Sequence, residues 1–212
     1  MADTETKPES TESTGLSEAT IGITLALFAA ILAVTDLGGG KYGDDEIKAV
    51  NEKANAYQWY STKGIKETQV EGEAAMLDAL VQAGVISGPQ VEGVKSAAEK
   101  ARKRAKQYGR EKNEILLGSA TVGKDNWAQD VGGVMGKVVG AREWEKKVDE
   151  LAKAGDFFDL ATVFLQLGLV MGAVALVLKD PRTRSWFYYG LIAMGLVGAG
   201  LSVRAWMIGL GT

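Results

Sequence analysis

Apolar and polar residues along this chain lie in blocks. Three blocks of about twenty residues hold almost no charge, and dense charge fills what lies between them. The first, Ala19 to Leu37, reads ATIGITLALFAAILAVTDL. At 1.5 Å per helical residue it covers about 28 Å, enough to cross the hydrocarbon core of a bilayer. Gly22, Ala26 and Ala30 fall four apart on it and form a smooth stripe for close approach of another helix. Gly38-Gly39-Gly40 follows and predicts a break or hinge. The residues before this block, 1–18, are acidic, rich in Ser and Thr and without apolar period, so a disordered tail is expected.

From Asp44 to about Ala83 the pattern is that of a long polar helix. Ile47, Val50, Ala54, Tyr57, Ser61 and Gly64 step by three and four, a narrow seam of coiled-coil type. Ser87-Gly88-Pro89 breaks the pattern with residues suited to opening a new helix. The spacing then resumes at Val91, Val94, Ala98, Ala101, Ala105, Tyr108 and Ile115. Two seams either side of a tight turn predict an antiparallel helical hairpin. Residues 118–140 are glycine-rich and predict a loop with short helices, after which helical pattern returns at Ala141.

The second apolar block, residues 157–178, opens on Phe157 and Phe158 and carries Gly168 and Gly172 in a small-xxx-small motif. Residues 179–185 form a short basic turn. The third block, 186–208, has Trp186 and Trp206 about 30 Å apart on a helix, a spacing that fits two aromatic belts. Gly195 and Ala199 offer this block's matching small face. The pattern as a whole predicts an all-α protein: three transmembrane helices, with a helical hairpin outside the bilayer over residues 38–156.

Composition narrows the chemistry. The 212 residues include no cysteine and no histidine. This removes disulfides, thiolate and imidazole metal sites, axial-histidine haem and any nucleophile that needs a histidine base. A net charge of −3 gives no reason to expect nucleic acid. No cofactor, metal ligand set or catalytic residue is predicted. Gly132-Gly133-Val134-Met135-Gly136-Lys137 is one residue short of a phosphate loop, and Val138 stands where Ser or Thr should hold magnesium. Gly38-Gly39-Gly40-Lys41 fails in the same way. The basic run from Lys95 to Lys112 is read as internal pairing, with Arg102 opposite Glu73 and Arg104 opposite Glu71 in the folded hairpin. Asp156 and Asp159 read as helix-start residues favoured by the macrodipole. Inside the spans, Gln166 and Arg204 are the notable polar residues. Arg204 sits near Trp206 and is placed to snorkel to the interface, while Gln166 suits a hydrogen bond to a neighbouring helix.

Asn55-Ala-Tyr-Gln-Trp-Tyr-Ser-Thr-Lys63-Gly-Ile-Lys66 resembles the aromatic-rich signature early in the soluble helix of the bacterial domain-of-unknown-function 4337 family, with Tyr57 and Trp59 in swapped order. The layout is similar too, with one span, a helical middle and then two spans joined by a basic turn. Phe158, Ala161 and Gln166 resemble the entrance to the family's second span. The resemblance covers most of residues 19–207 and is weaker over 85–140. It implies a bacterial membrane protein and brings no catalytic residue. The cluster of Tyr57, Trp59, Tyr60, Lys63 and Lys66 suits an interface with another protein or with lipid headgroups, and equally suits packing inside the hairpin.

Lys179, Arg182 and Arg184 fall within six residues of a short loop, which the positive-inside rule places in the cytoplasm, and with it the N-terminus. The hairpin is then extracytoplasmic in a bacterial inner membrane. The expected role is structural, a homo-oligomer or a scaffold for a larger membrane complex, with lipid as the first partner. The alternative is a small channel or transporter of several copies, lined by Gln166.

Overall fold

The structure, a computed structural model, describes residues 17–211. Of these, 86% are helical, and the fold is all-α. Five α-helices follow in order: α1 (Glu18–Gln82), α2 (Gln90–Leu117), α3 (Ser119–Val122), α4 (Ala141–Val177) and α5 (Pro181–Leu210). A 3-10 turn at Lys124–Asn126 and two short antiparallel strands, β1 (Asp130–Val131) and β2 (Val134–Met135), lie between α3 and α4. The chain divides into two compact units, one from residues up to Gly43 and from Lys153 onward, the other from Asp44 to Ala152. The tail expected over residues 1–18 lies almost wholly outside the described residues. Ser17 is the N-cap of α1, its hydroxyl accepting from the Thr20 amide at 3.2 Å.

In the first unit, α1, α4 and α5 pack along seams with a seven-residue repeat. Buried positions are Ile21, Phe28, Thr35 and Tyr42 on α1. On α4 they are Phe158, Ala161, Leu165, Gly168, Gly172 and Ala175, and on α5 Leu191, Gly195, Gly198, Ser202, Ala205 and Gly209. Alternating steps of three and four are the left-handed packing geometry of coiled coils. These three helices are each long and apolar enough to cross a membrane.

Three expectations need correction here. The break at Gly38-Gly39-Gly40 is absent, because α1 runs through it as one 65-residue helix. Gly38 serves close approach instead: a Cβ there would lie 2.6 Å from the Phe158 ring. Asp156 and Asp159 do not start a helix, since α4 begins at Ala141 and carries them in its interior. The basic turn is shorter than 179–185, for Asp180 caps α5 by accepting from the Thr183 amide at 2.9 Å, which leaves Arg182 and Arg184 in its first turn.

In the second unit the α2 seam contains Ala98, Ala101, Ala105 and Ile115, all buried. The α1 seam differs from expectation. Ile47 is 63% exposed, whereas Ala49, Ala56 and Ala74 are buried. The inward face of α1 is thus rotated by two residues from the one that its larger apolar side chains mark. Small residues on an inward face permit close helix spacing, which Ile47 and Val50 would prevent. The α1–α2 connection is a Schellman ending, with Gly84 at φ 71° and the Val85 amide donating to Leu80 O at 3.1 Å.

Packing of the first unit should be most sensitive where a new side chain meets backbone. A Cβ on Gly168 would stand 3.3 Å from Gly195 N and from Leu191 O, which cannot swing away, whereas one on Gly172 meets the movable tips of Leu25 and Leu191. Gly168→Ile is expected to cost about 3 kcal/mol, at the upper end of overpacking penalties. Gly172→Ile should cost less, and Gln166→Leu, at an exposed position, should fall within about 0.5 kcal/mol of wild type. Thermal unfolding in mild detergent, followed by helical circular dichroism, gives the order. Equal losses at Gly168 and Gln166 would refute it.

Candidate functional site

The sequence-predicted cluster on α1 does not stay together. Tyr60 and Lys63 turn towards α2. Lys63 makes an ion pair with Glu111 and lies 5.6 Å from the centre of the Tyr108 ring. Lys112 pairs with Glu67 and stands 5.8 Å from the Tyr60 ring centre. Gln107 adds a 2.9 Å hydrogen bond to Glu111, whose side chain keeps only 6% exposure. These charges are largely out of water, and each carboxylate is matched by a cation, without which burial would be costly. The hydrogen bond to Glu67 holds the Lys112 ammonium above its ordinary pKa.

The other members face elsewhere. Tyr57 is 37% exposed and donates to Glu145 of α4 at 3.3 Å. Partial desolvation, and after it the Glu145 charge, raises its pKa above the ordinary phenol value. Trp59 is half-buried and Lys66 exposed. Arg102 pairs with Asp78, where Glu73 was expected. The expected register was counted from a turn at Gly88, and the observed partner lies five residues nearer that turn.

A second cluster escaped the sequence reading altogether. Glu114 is fully buried near the end of α2. One carboxylate oxygen accepts from Ser119 Oγ at 2.6 Å, and the other from the amides of Ala128 and Gln129 at 2.7 and 2.8 Å. Ser119 Oγ in turn accepts from the Val138 amide at 2.9 Å, and Ser119 O accepts from the Trp127 indole at 2.8 Å. Glycine makes the rest possible. Gly136, at φ 81°, lies against the Trp127 face, and Gly140 approaches the Gly118 backbone too closely for any side chain. A carboxylate that receives three donors is fully solvated by protein. Its role is to fold the segment from Ser119 to Val138. The only hint in the sequence was a lone Glu among Asn113, Ile115 and Leu116.

In the first unit, Gly168 and Gly195 meet backbone to backbone, and the ring of Phe28 covers Gly195. Ala199 is half-buried beside this contact. The Gly22, Ala26 and Ala30 stripe does not pack within the chain: nothing lies within 4 Å of a Cβ on Gly22, and both alanines are exposed. The face used lies at Ile21, Phe28 and Thr35, because Phe28 fills the space that Gly195 leaves. Two polar pairs were missed, Thr35 donating to Ser202 at 2.9 Å and Thr162 donating to Asp36 at 2.9 Å. Gln166 is exposed on α4, and the Arg204 guanidinium stacks on Phe157 at 4.5 Å. Trp206 is half-buried, edge-on to Tyr42 and Phe158 at 5.6 and 5.7 Å, and so is more a packing residue than a free interfacial anchor. Among the described residues no three Asp or Glu side chains come together as a metal site would require.

The family model described as "Domain of unknown function (DUF4337)" matches residues 17–208. The chain belongs to this family. No curated protein and no solved structure matches it. The match reaches from the N-cap of α1 to within two residues of the end of α5 and includes the Glu114 cluster.

Glu114→Ala should leave three buried donors without acceptors. At about 1–3 kcal/mol for such losses, the segment around it is expected to open locally. Amide hydrogen exchange would follow this directly: Ala128 and Gln129 should lose protection by orders of magnitude, while the amides of Ala98–Ala105 keep theirs. Uniform loss, or none, would contradict the local role. For Lys112 the sign is fixed by its raised pKa. Its contribution is complete below the ordinary lysine range and disappears as pH rises through the higher folded value.

Proposed function

We propose that this DUF4337 protein is a structural component of a bacterial inner membrane that assembles with copies of itself and has no chemistry of its own. Its α1, α4 and α5 cross the bilayer. In their most apolar stretches only 22%, 28% and 28% of residues are buried within the chain, so lipid or other helices must cover the remainder. The second unit is read as an antiparallel helical hairpin outside the bilayer. Its support is that Asp78, near the α1–α2 turn, pairs with Arg102, while Lys63 and Glu67, farther from it, pair with Glu111 and Lys112.

The outward face of α1 carries the proposal of self-assembly. Ala19, Ala26, Ala33, Gly40, Ala54, Ser61, Thr68 and Ala75 recur every seventh residue, broken only by Ile47, and all are exposed. They lie about 150° around the helix from the buried column Ile21, Phe28, Thr35, Tyr42, Ala49 and Ala56. Small residues at a strict seven-residue repeat are what a second, closely approaching helix requires. Copies in one bilayer share a direction, so their α1 helices would run parallel. Glu46 would then face Asn51 of the next copy, and Lys53 its Gln58, with no like charges opposed. A scaffold for a larger membrane complex could use the same face. The channel alternative draws on one observation, that Gln166 is exposed on α4 and free to gather about an axis.

The chain has no cysteine, so single replacements report cleanly. Ser61→Cys on the outward column should crosslink between copies in native membranes, and Lys66→Cys, about 155° away, should not. Ile47→Glu with Ala54→Glu should abolish crosslinking at Ser61→Cys without loss of helicity. Crosslinking at both positions or at neither would sink the parallel interface, and a monomer in nanodiscs would sink self-assembly. Orientation has its own test. A cysteine at Ser87 should react with an impermeant maleimide in intact spheroplasts and one at Thr183 should not; the reverse places the hairpin in the cytoplasm.

A further inference from the structure

We infer that the turn between α4 and α5 is a binding site for the phosphate of an anionic phospholipid, with Arg184 as its central ligand. The inference rests on the membrane reading above. Lys179, Arg182 and Arg184 bring three cations to a single turn. Lys179 and Arg182 are exposed and form no ion pair among the described residues. Asp180, the one acid of the turn, is already engaged: its carboxylate accepts from the Thr183 amide at 2.9 Å and from the Thr183 hydroxyl at 2.6 Å. Those bonds hold its pKa below the usual carboxylate range, so it stays ionised and the turn carries three cations against one carboxylate, a net positive charge.

Arg184 differs from its neighbours. Its side chain is only 17% exposed, and its Nε and Nη2 are shielded from water with no hydrogen-bond acceptor among the described residues. The nearest carboxylate is Glu18, with Nη2 to Oε1 at 3.7 Å, an ion-pair distance beyond hydrogen-bond range. Glu18 is itself 76% exposed. A guanidinium with idle donors along its Nε–Nη2 edge is a costly arrangement. That edge is also the fork that binds phosphate bidentately. Released from Glu18, that edge would be free to bind a phosphate drawn to the turn.

The surroundings suit a lipid. Trp186 and Tyr189 are 74% and 65% exposed on the first turns of α5, and Val177 is 81% exposed at the end of α4. Exposed aromatic rings beside exposed aliphatic side chains belong at headgroup level, where a bound lipid has both its phosphate and the start of its acyl chains to cover. Tyr188 is held inward by its hydroxyl's 3.3 Å contact with the Thr24 hydroxyl, which ties the site to α1.

The full-length protein in nanodiscs, of phosphatidylcholine alone or with one quarter phosphatidylglycerol, provides the test. Lipid retention is counted by native mass spectrometry, and thermal midpoint is read by tryptophan fluorescence. Wild type should retain phosphatidylglycerol and melt higher in the mixed discs. Lys179→Gln and Arg182→Gln should each weaken retention about fivefold, the equivalent of about 1 kcal/mol per basic residue near an anionic surface, and Arg184→Gln should weaken it at least as much. Arg204→Gln, beyond the turn, should change nothing. Glu18→Gln separates lipid binding from a simple tie between helices, because it frees the guanidinium and should tighten retention. If Glu18→Gln and Arg184→Gln instead melt lower alike in both disc types, with retention unchanged, the pair is a structural tie and the site is refuted. Inorganic phosphate added to phosphatidylcholine discs should leave the midpoint unmoved; a rise equal to that with phosphatidylglycerol would mean a soluble phosphate ligand and overturn the lipid. Equal retention of both lipids by wild type refutes the site while leaving the membrane reading intact. Failure to enter phosphatidylcholine discs at all overturns both.

Discussion

Close approach of helix backbones is the constraint on which the first unit depends. A Cβ on Gly168 would stand 3.3 Å from Gly195 N, and one on Gly198 would come tighter still, 2.9 Å from the Ala161 carbonyl. Helices with apolar outer surfaces gain little from hydrophobic burial against each other when lipid surrounds them, so their association rests on van der Waals contact and a few polar bonds. Each glycine therefore sets where a large neighbour fits: Phe28 over Gly195, Phe158 over Gly38, Tyr42 over Gly209. The seven-residue repeat follows from this, because only an under-wound helix keeps one face towards two partners through several turns.

The second unit meets a different constraint with the same helix. Its inward α1 face is alanine at Ala49, Ala56 and Ala74, with Tyr60, Lys63 and Glu67 half-buried between. Such a narrow apolar seam excludes little water, and matched charges take over part of the task of holding register. Removing one member of the Lys63–Glu111 pair would strand the other in a poorly solvated place, whereas together they cost little. Glu114 extends the principle to a loop. By accepting from Ser119, Ala128 and Gln129 it gives one end to a segment whose Val131, Val134 and Met135 remain exposed and contribute little core.

The two outward-facing surfaces discussed above have a common origin. Inside the chain, large residues such as Phe28 and Phe158 are seated on glycines, whereas the small column of α1 and the basic turn are left outside. Side chains engaged in the internal fold are not free to meet a second helix or a headgroup, so the faces proposed for those contacts are ones that the internal packing does not use.

The sequence by itself determined the class of fold, the three apolar helices and the α2 seam, because blocks of twenty uncharged residues and a three-four spacing admit few other structures. It also carried the family resemblance, through the aromatic segment from Asn55 to Lys66. It could not determine which face of α1 turns inward. Ile47 and Val50 announce a seam by size, but Ala49 and Ala56 are the residues buried, because a closely approaching partner leaves room only for small side chains. Nor could it show that Gly38-Gly39-Gly40 is helical, since glycine serves a hinge and a close contact equally well until Phe158 is in place. Glu114 was the least legible. One buried carboxylate in a charged helix has no local mark, and its three donors come from residues that only the folded loop brings to it.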